Sequence, residues 1–317
     1  MNLVTLDQIR QAAGNIDGIA VRTPFLDVGD GLWVNPENLQ PIGAFKVRGA
    51  THAVAQLTDA ARAAGVVTHS SGNHGQALAY AARRVGAPCV VVMPDVATPL
   101  KVEAVRALGA EVELVKPADR LTRTQELQQE RGMALIPPFD HVDVIAGQGT
   151  IGLEILADLP GVAAVLVPVG GGGLAAGVAS AVKALNPDVR VIGVEPELAA
   201  DAAESLREHH LVIWPVEQTY RTSADGLRTN LSELTFAHLS ARLDAVLTVS
   251  EAEIQSTMAT LVRRARIVAE PSGAVAPAAW LHRRDEVRAI AADGPVVAVV
   301  SGGNVDPALL AEAVANE

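Results

Sequence analysis

The sequence predicts an α/β protein made of two open, mostly parallel twisted sheets with a ligand cleft between them. Three observations predict it. Short β-rich apolar runs alternate with Ala- and Leu-rich helical stretches, the rhythm of parallel sheets flanked by helices. The runs are continuously apolar rather than alternating, as strands covered on both faces require. They also fall into two groups, one ending before about residue 116 and one starting after 163. Strands are expected at 66–68, 89–93, 112–115, 163–169, 189–194 and 296–300, and helices at 74–85, 99–108, 150–157, 174–185, 251–267 and 274–282. Clefts at the carboxyl ends of such strands are where ligands sit.

Composition narrows the function classes. The 317 residues are 49% hydrophobic, ample for a large core or two domains. The 25 Lys and Arg stand against 36 Asp and Glu, a net −11, and no basic block stands out, so nucleic acid is not an expected partner. The single cysteine, Cys89, lies in the apolar run 88–93, which excludes an intrachain disulfide and reads as a buried strand residue. Residues 1–10 carry Asp7 and Arg10 and no apolar signal region. No run reaches the roughly 20 apolar residues of a membrane span. A reducing cytoplasm is the expected compartment and no membrane partner is expected.

Gly170, Gly171, Gly172 and Gly173 follow the strand ending at Val169 and precede the helix starting at Leu174. Four residues without a Cβ let the backbone wrap an anion, with a helix N-terminus behind it, which suits a phosphate ester. Gly170, Gly172 and Ala175 also fit the looser G-x-G-x-x-A dinucleotide pattern, with Glu195 as a ribose-binding acid. No Walker lysine follows, which argues against a nucleoside triphosphate. Lys46 lies in the apolar, glycine-punctuated segment 41–50 beside Arg48, and a neighbouring cation can lower an amine's pKa toward nucleophilicity.

That segment resembles the Schiff-base lysine motif of fold-type II pyridoxal 5′-phosphate (PLP) enzymes, which are tryptophan synthase β-like, in the serine/threonine dehydratase and serine racemase branch. Asn38-Leu39-Gln40-Pro41, Ser70-Ser71-Gly72-Asn73-His74-Gly75, Gly147-Gln148-Gly149-Thr150, the glycine loop, Ala224-Asp225-Gly226, Glu270-Pro271-Ser272 and Ser301-Gly302-Gly303-Asn304 follow in that family's order. The resemblance covers nearly the whole chain. It implies a large PLP-binding domain from residues 1–53 and 144–317 and a small mobile domain from 54–143. It also implies a homodimer.

The resemblance implies roles as well. Lys46 would hold the cofactor and move the substrate's α-proton. Phe45 would lie against the pyridine ring, Asn73 would bond its phenolic oxygen, and Ser301 would face its nitrogen. Gly170 to Gly173 would take the phosphate, with Gly226, Glu270 and Asn304 completing the cofactor site. Ser70, Ser71, Gly72, Asn73 and His74 would hold the substrate carboxylate at a helix N-terminus. Ser71 would serve as an acid/base opposite Lys46, as in serine racemases, or else cap the following helix. The segment 195–201 resembles the family's divalent-metal loop, with carboxylates from Glu195 and Asp201 and the Ala199 carbonyl. All-oxygen ligation suits Mg²⁺ or Ca²⁺; the alternative is an acidic surface loop.

Two departures stand out. Ile42 and Ala44 replace a usual Thr and Ser, and Asn35-Pro36 replaces a usual Lys-Leu pair. The chain ends soon after Asn304, so no regulatory domain answering to isoleucine is expected. The expected activity is a PLP-dependent dehydratase, an ammonia-lyase converting serine, threonine or a 3-substituted serine such as 3-hydroxyaspartate to a 2-keto acid and ammonia. Two alternatives stay open. One is an amino acid racemase using Lys46 and Ser71 as opposed bases. The other, of a different class, is a non-catalytic α/β protein binding a phosphometabolite.

Overall fold

A computed structural model describes residues 2–70 and 72–315, the side chain of Leu100 excepted. Its strands are β1 (Leu26–Gly29), β2 (Leu32–Pro36), β3 (Val66–His69), β4 (Cys89–Pro94), β5 (Glu111–Val115), β6 (Ala134–Leu135), β7 (Ala164–Pro168), β8 (Arg190–Pro196), β9 (Ala245–Val249) and β10 (Val296–Val300). They form a six-stranded sheet in the order β1-β2-β10-β7-β8-β9 and a four-stranded sheet in the order β5-β4-β3-β6. Every pairing is parallel except the β1–β2 hairpin.

The continuous apolar runs have the expected cause. Along β7, Ala164 and Leu166 enter one core while Val165 and Val167 enter another. Along β10, Val296, Ala298 and Val300 separate from Val297 and Val299 in the same way. Each face of the large sheet therefore has its own helix-covered core, and no position along the strand is free to be polar. The smaller sheet repeats the plan, with Val66 and Val91 on one side and Val67 and Val90 on the other. Cys89 is buried in β4 as predicted, and desolvation pushes its thiol up to about 12.

The first nine helices are α1 (Leu6–Ile16), α2 (Lys46–Ala55), α3 (Asp59–Ala64), α4 (Asn73–Arg84), α5 (Pro99–Ala107), α6 (Arg120–Arg131), α7 (Val142–Asp158), α8 (Gly173–Leu185) and α9 (Asp201–Glu208). All the predicted strands form. The hairpin β1–β2 was not predicted, and it joins the large sheet through β2 and β10 rather than the four-stranded one. Helix α7 begins at Val142, before the expected 150. Its first half carries Gly147 and Gly149, which break a helical pattern in sequence but are required by packing. A Cβ on Gly147 would lie 2.6 Å from the Gly49 Cα of α2, and one on Gly149 would lie 2.9 Å from the Gly177 carbonyl of α8. The predicted helix 251–267 is α-helical only to Thr260; a wider π turn, Leu261–Ala265, follows and ends at Arg266 in the left-handed region. Among the described residues, no helix is long and apolar enough to cross a membrane.

Candidate functional site

The carboxyl ends of the parallel strands deliver the predicted residues to one region. β3 runs into Ser70 and then α4, β7 into the glycine loop and then α8, and β10 into Ser301. The segment before Lys46 is sewn to the end of β10. Ala44 bridges Gly302, the Phe45 amide donates to the Ser301 carbonyl (3.0 Å), and the Gly303 amide donates to the Gly43 carbonyl (2.9 Å).

Lys46 opens α2. Its Nζ donates to the Pro138 carbonyl at 2.6 Å and lies 5.0 Å from the centre of the Phe45 ring. Desolvation alone lowers its amine to about 8. The sequence reading gave Arg48 that role, and the structure corrects it. Arg48 is fully buried, and its guanidinium is engaged by Glu37 (2.7 and 2.8 Å) and Glu154 (2.6 and 2.8 Å), so its charge is already neutralised. His74 is buried as well, with Nε2 against the Ile136 carbonyl at 2.9 Å. Burial and the nearby Lys46 charge push its imidazole down to about 3, so it is neutral.

Asn73, Glu270 and Asn304 form one network. Asn73 Nδ2 donates to Glu270 Oε1 at 2.7 Å, and Asn304 Nδ2 donates to Asn73 Oδ1 at 2.8 Å. Glu270 is buried, which together with the Asp225 charge raises its carboxyl to about 7. Below it, Ser301 Oγ donates a long 3.3 Å bond to the Ser272 carbonyl, and the Gly226 amide donates to Ser272 Oγ at 3.0 Å.

The glycine loop is enclosed. All of Gly170 to Gly173 are buried, and Gly172 has φ +85. A Cβ on Gly171 would run into the Phe139 ring, and one on Gly172 would lie 2.7 Å from Leu231. The bare backbone therefore serves close packing on one side. On the other, the amides of Gly170 to Gly173 meet no acceptor among the described residues, and neither do those of Asn73 and His74 in the first turn of α4. Amides without partners, buried at the glycine loop and partly buried at Asn73, are the donor sets that a phosphate ester and a carboxylate would satisfy, so the residues present fit PLP and an amino acid. Ser71 lies outside the described residues.

The 195–201 segment is not an acidic surface loop. Glu195, Ala199 and Asp201 are all buried. Glu195 accepts the amides of Ala202 (3.0 Å) and Ala203 (2.7 Å) at the start of α9, which engages the carboxylate the dinucleotide alternative needed for a ribose. Asp201 accepts the Leu231 amide at 3.0 Å through Oδ2, while its Oδ1 has no partner. Burial and the Asp201 charge raise Glu195 well above the carboxylate range, and burial raises Asp201 to about 6. Among the described residues, no group of three or more His, Cys, Asp or Glu side chains is arranged so that it could hold a metal ion.

Sequence reasoning missed Pro138 and Phe139, which meet Lys46 and the glycine loop, because nothing local in 136–140 marks that loop. It also missed Glu37 and Glu154 as partners of Arg48; they lie 11 and 106 residues from it along the chain.

Comparison with known proteins adds the following. The family model described as "Pyridoxal-phosphate dependent enzyme" matches residues 16–302. The chain is 39% identical over 316 residues to an L-threo-3-hydroxyaspartate ammonia-lyase of Saccharomyces cerevisiae, covering 96% of this chain and 95% of that one. Maize serine racemase superposes with a TM-score of 0.93 at 35% identity, covering 99% and 98% of the two chains. The threonine deaminase of T.th. superposes with a TM-score of 0.89 at 41% identity, covering 95% and 99%.

Proposed function

The chain belongs to the family of pyridoxal-phosphate dependent enzymes, and on that premise we propose that it is an ammonia-lyase acting on a small hydroxy amino acid: serine, threonine or a 3-substituted serine such as 3-hydroxyaspartate. The observation that carries this reading is Lys46: a desolvated amine lowered to about 8, close to two sets of amides that lack acceptors among the described residues. The named relatives, an ammonia-lyase and a threonine deaminase, support the same chemistry.

Bound PLP supplies an electron sink for charge developed at the substrate's α-carbon. This chain's residues do the rest. Gly170 to Gly173 would hold the phosphate. The Asn73 and His74 amides, at the positive end of α4, would hold the substrate carboxylate. Lys46 would bind the cofactor's aldehyde carbon. At neutral pH roughly a tenth of an amine with this pKa is unprotonated, so Nζ can accept the α-proton and return it. The Asn73–Glu270–Asn304 network would fix the cofactor's phenolic edge, Phe45 its ring face and Ser301 its nitrogen edge. Loss of the β-hydroxyl leaves an enamine acid, which water converts to a 2-keto acid and ammonia.

A divalent cation, Mg²⁺ or Ca²⁺, at Glu195, Asp201 and the Ala199 carbonyl belongs to this reading. Two buried carboxylates and the unpartnered Asp201 Oδ1 support it. The reading also assigns residues 54–143 to a small mobile domain, which the four-stranded sheet supports. A homodimer is the assembly that the family resemblance suggests, and the composition and lone cysteine favour a cytoplasmic location.

The test is an ammonia-release screen over both enantiomers of serine, threonine, phenylserine and 3-hydroxyaspartate, with and without chelator. Release from at least one substrate, abolished in Lys46→Ala, is expected. No release from any, with ligand binding untouched by Lys46→Ala, would instead indicate a binding protein. Racemisation that disappears in Ser71→Ala while elimination persists would add the two-base activity.

A further inference from the structure

Lys101 is used by none of the roles above. It is the third residue of α5, a helix that packs beside α4 and β5 of the four-stranded sheet. Its ammonium meets Asp225 Oδ2 at 2.8 Å. Asp225 belongs to the opposite wall. It opens the short turn Asp225–Leu227, whose Gly226 amide donates to Ser272 Oγ and whose Leu227 Cα abuts Gly170. The ion pair therefore crosses from the helix layer of the small sheet to the loops that close the glycine cradle.

A second crossing lies beside it. Asn73, the first residue of α4, reaches Glu270 and Asn304 on the large-sheet side. The two crossings share an electrostatic environment: Asp225 acts on the Glu270 carboxyl in one direction and Lys101 in the other. Without Lys101, the Glu270 carboxyl would lose a cation that acts on it against the Asp225 charge.

We propose that Lys101 is a positioning residue, whose ion pair with Asp225 clasps α4 and α5 onto the large-sheet wall and so keeps Asn73 bonded to Glu270 and Asn304. Both side chains are about two-fifths exposed, 39% and 42%. A pair this open contributes a shift of at most about fivefold in an equilibrium, and salt screens it. That suits a clasp that must open for substrate entry better than a permanent strut. The proposal rests on the reading of the cleft as the cofactor and substrate site.

The test is a charge swap in the holoprotein, comparing Lys101→Glu, Asp225→Lys and the double variant, with Lys101→Arg as the conservative control. Amide hydrogen exchange in α4 and α5 is the first readout, because it needs no turnover. Each single swap should speed exchange there by about fivefold, while the double swap and Lys101→Arg stay within about twofold of the parent. The KM for whichever hydroxy amino acid is turned over should rise about fivefold in the single swaps, with kcat within about twofold. Unchanged exchange in the single swaps, no recovery in the double swap, or a fall in kcat with KM unchanged would overturn the proposal. If no hydroxy amino acid is turned over, the substrate reading fails, and the exchange measurement still decides whether the clasp exists.

Discussion

Burial acts on four side chains around the two sites in a common direction, removing charge. Lys46 falls to about 8 and His74 to about 3, while Glu270 rises to about 7 and Asp201 to about 6. For Asp201 this has a measurable consequence. Its folded value lies above the ordinary 3.8, so the cation-free fold binds this proton more tightly than the unfolded chain does. That contribution to stability is complete below pH 3.8 and is lost as pH rises through about 6, on the order of 3 kcal/mol in all. Glu270 adds a loss of the same sign between 4.5 and about 7. Thermal melts in chelator should therefore decline across this range. Added Ca²⁺ or Mg²⁺ should recover the Asp201 share above pH 6, and melts indifferent to cation would remove the metal from the account. At this scale the sequence was legible where chemistry is local, as at Lys46 and the four glycines. It was not legible for the cause of the lysine's lowered pKa, because burial depends on how distant segments dock, such as the one carrying Pro138, 92 positions away, whose carbonyl meets the amine.

Helix α2 carries Lys46 into the cleft, and a buried ion cluster fixes its first turn. Arg48 is bound by Glu37 from the turn after β2 and by Glu154 from α7, with Thr150 Oγ1 at 3.1 Å. Arg48→Met would leave two carboxylates around an uncharged side chain, which typically destabilises a fold by about 3–5 kcal/mol. Arg48→Lys, which keeps the charge but loses the bidentate fork, should fall between that variant and the parent. Denaturant titration measures both, and a loss under about 1 kcal/mol for Arg48→Met would contradict a structural role for the cluster. Long apolar elements such as β4, β7, β8 and β10 were legible in sequence because packing on both faces leaves one pattern. The hairpin β1–β2 and the start of α7 were not. The first is short and its β1 strand is half exposed, and the second carries glycines whose reason is a neighbouring helix.

For the whole molecule, two parallel sheets set their carboxyl ends around one region, and residues from 43 to 304 meet there. The motifs Ser70 to His74, Gly170 to Gly173 and Ser301 to Asn304 were legible because each follows a strand directly. Contacts that join the walls, such as Lys101 with Asp225 or Phe139 with Gly171, were not, because they depend on how separate elements dock. The account turns on Lys46 as the point of covalent attachment. Borohydride reduction of the PLP-loaded protein, followed by peptide mapping, tests this most directly. The account predicts one phosphopyridoxyl group per chain, on the peptide containing Lys46. A label on Lys101, Lys116 or Lys183 instead, or ammonia release from a protein that carries no label at Lys46, would contradict it.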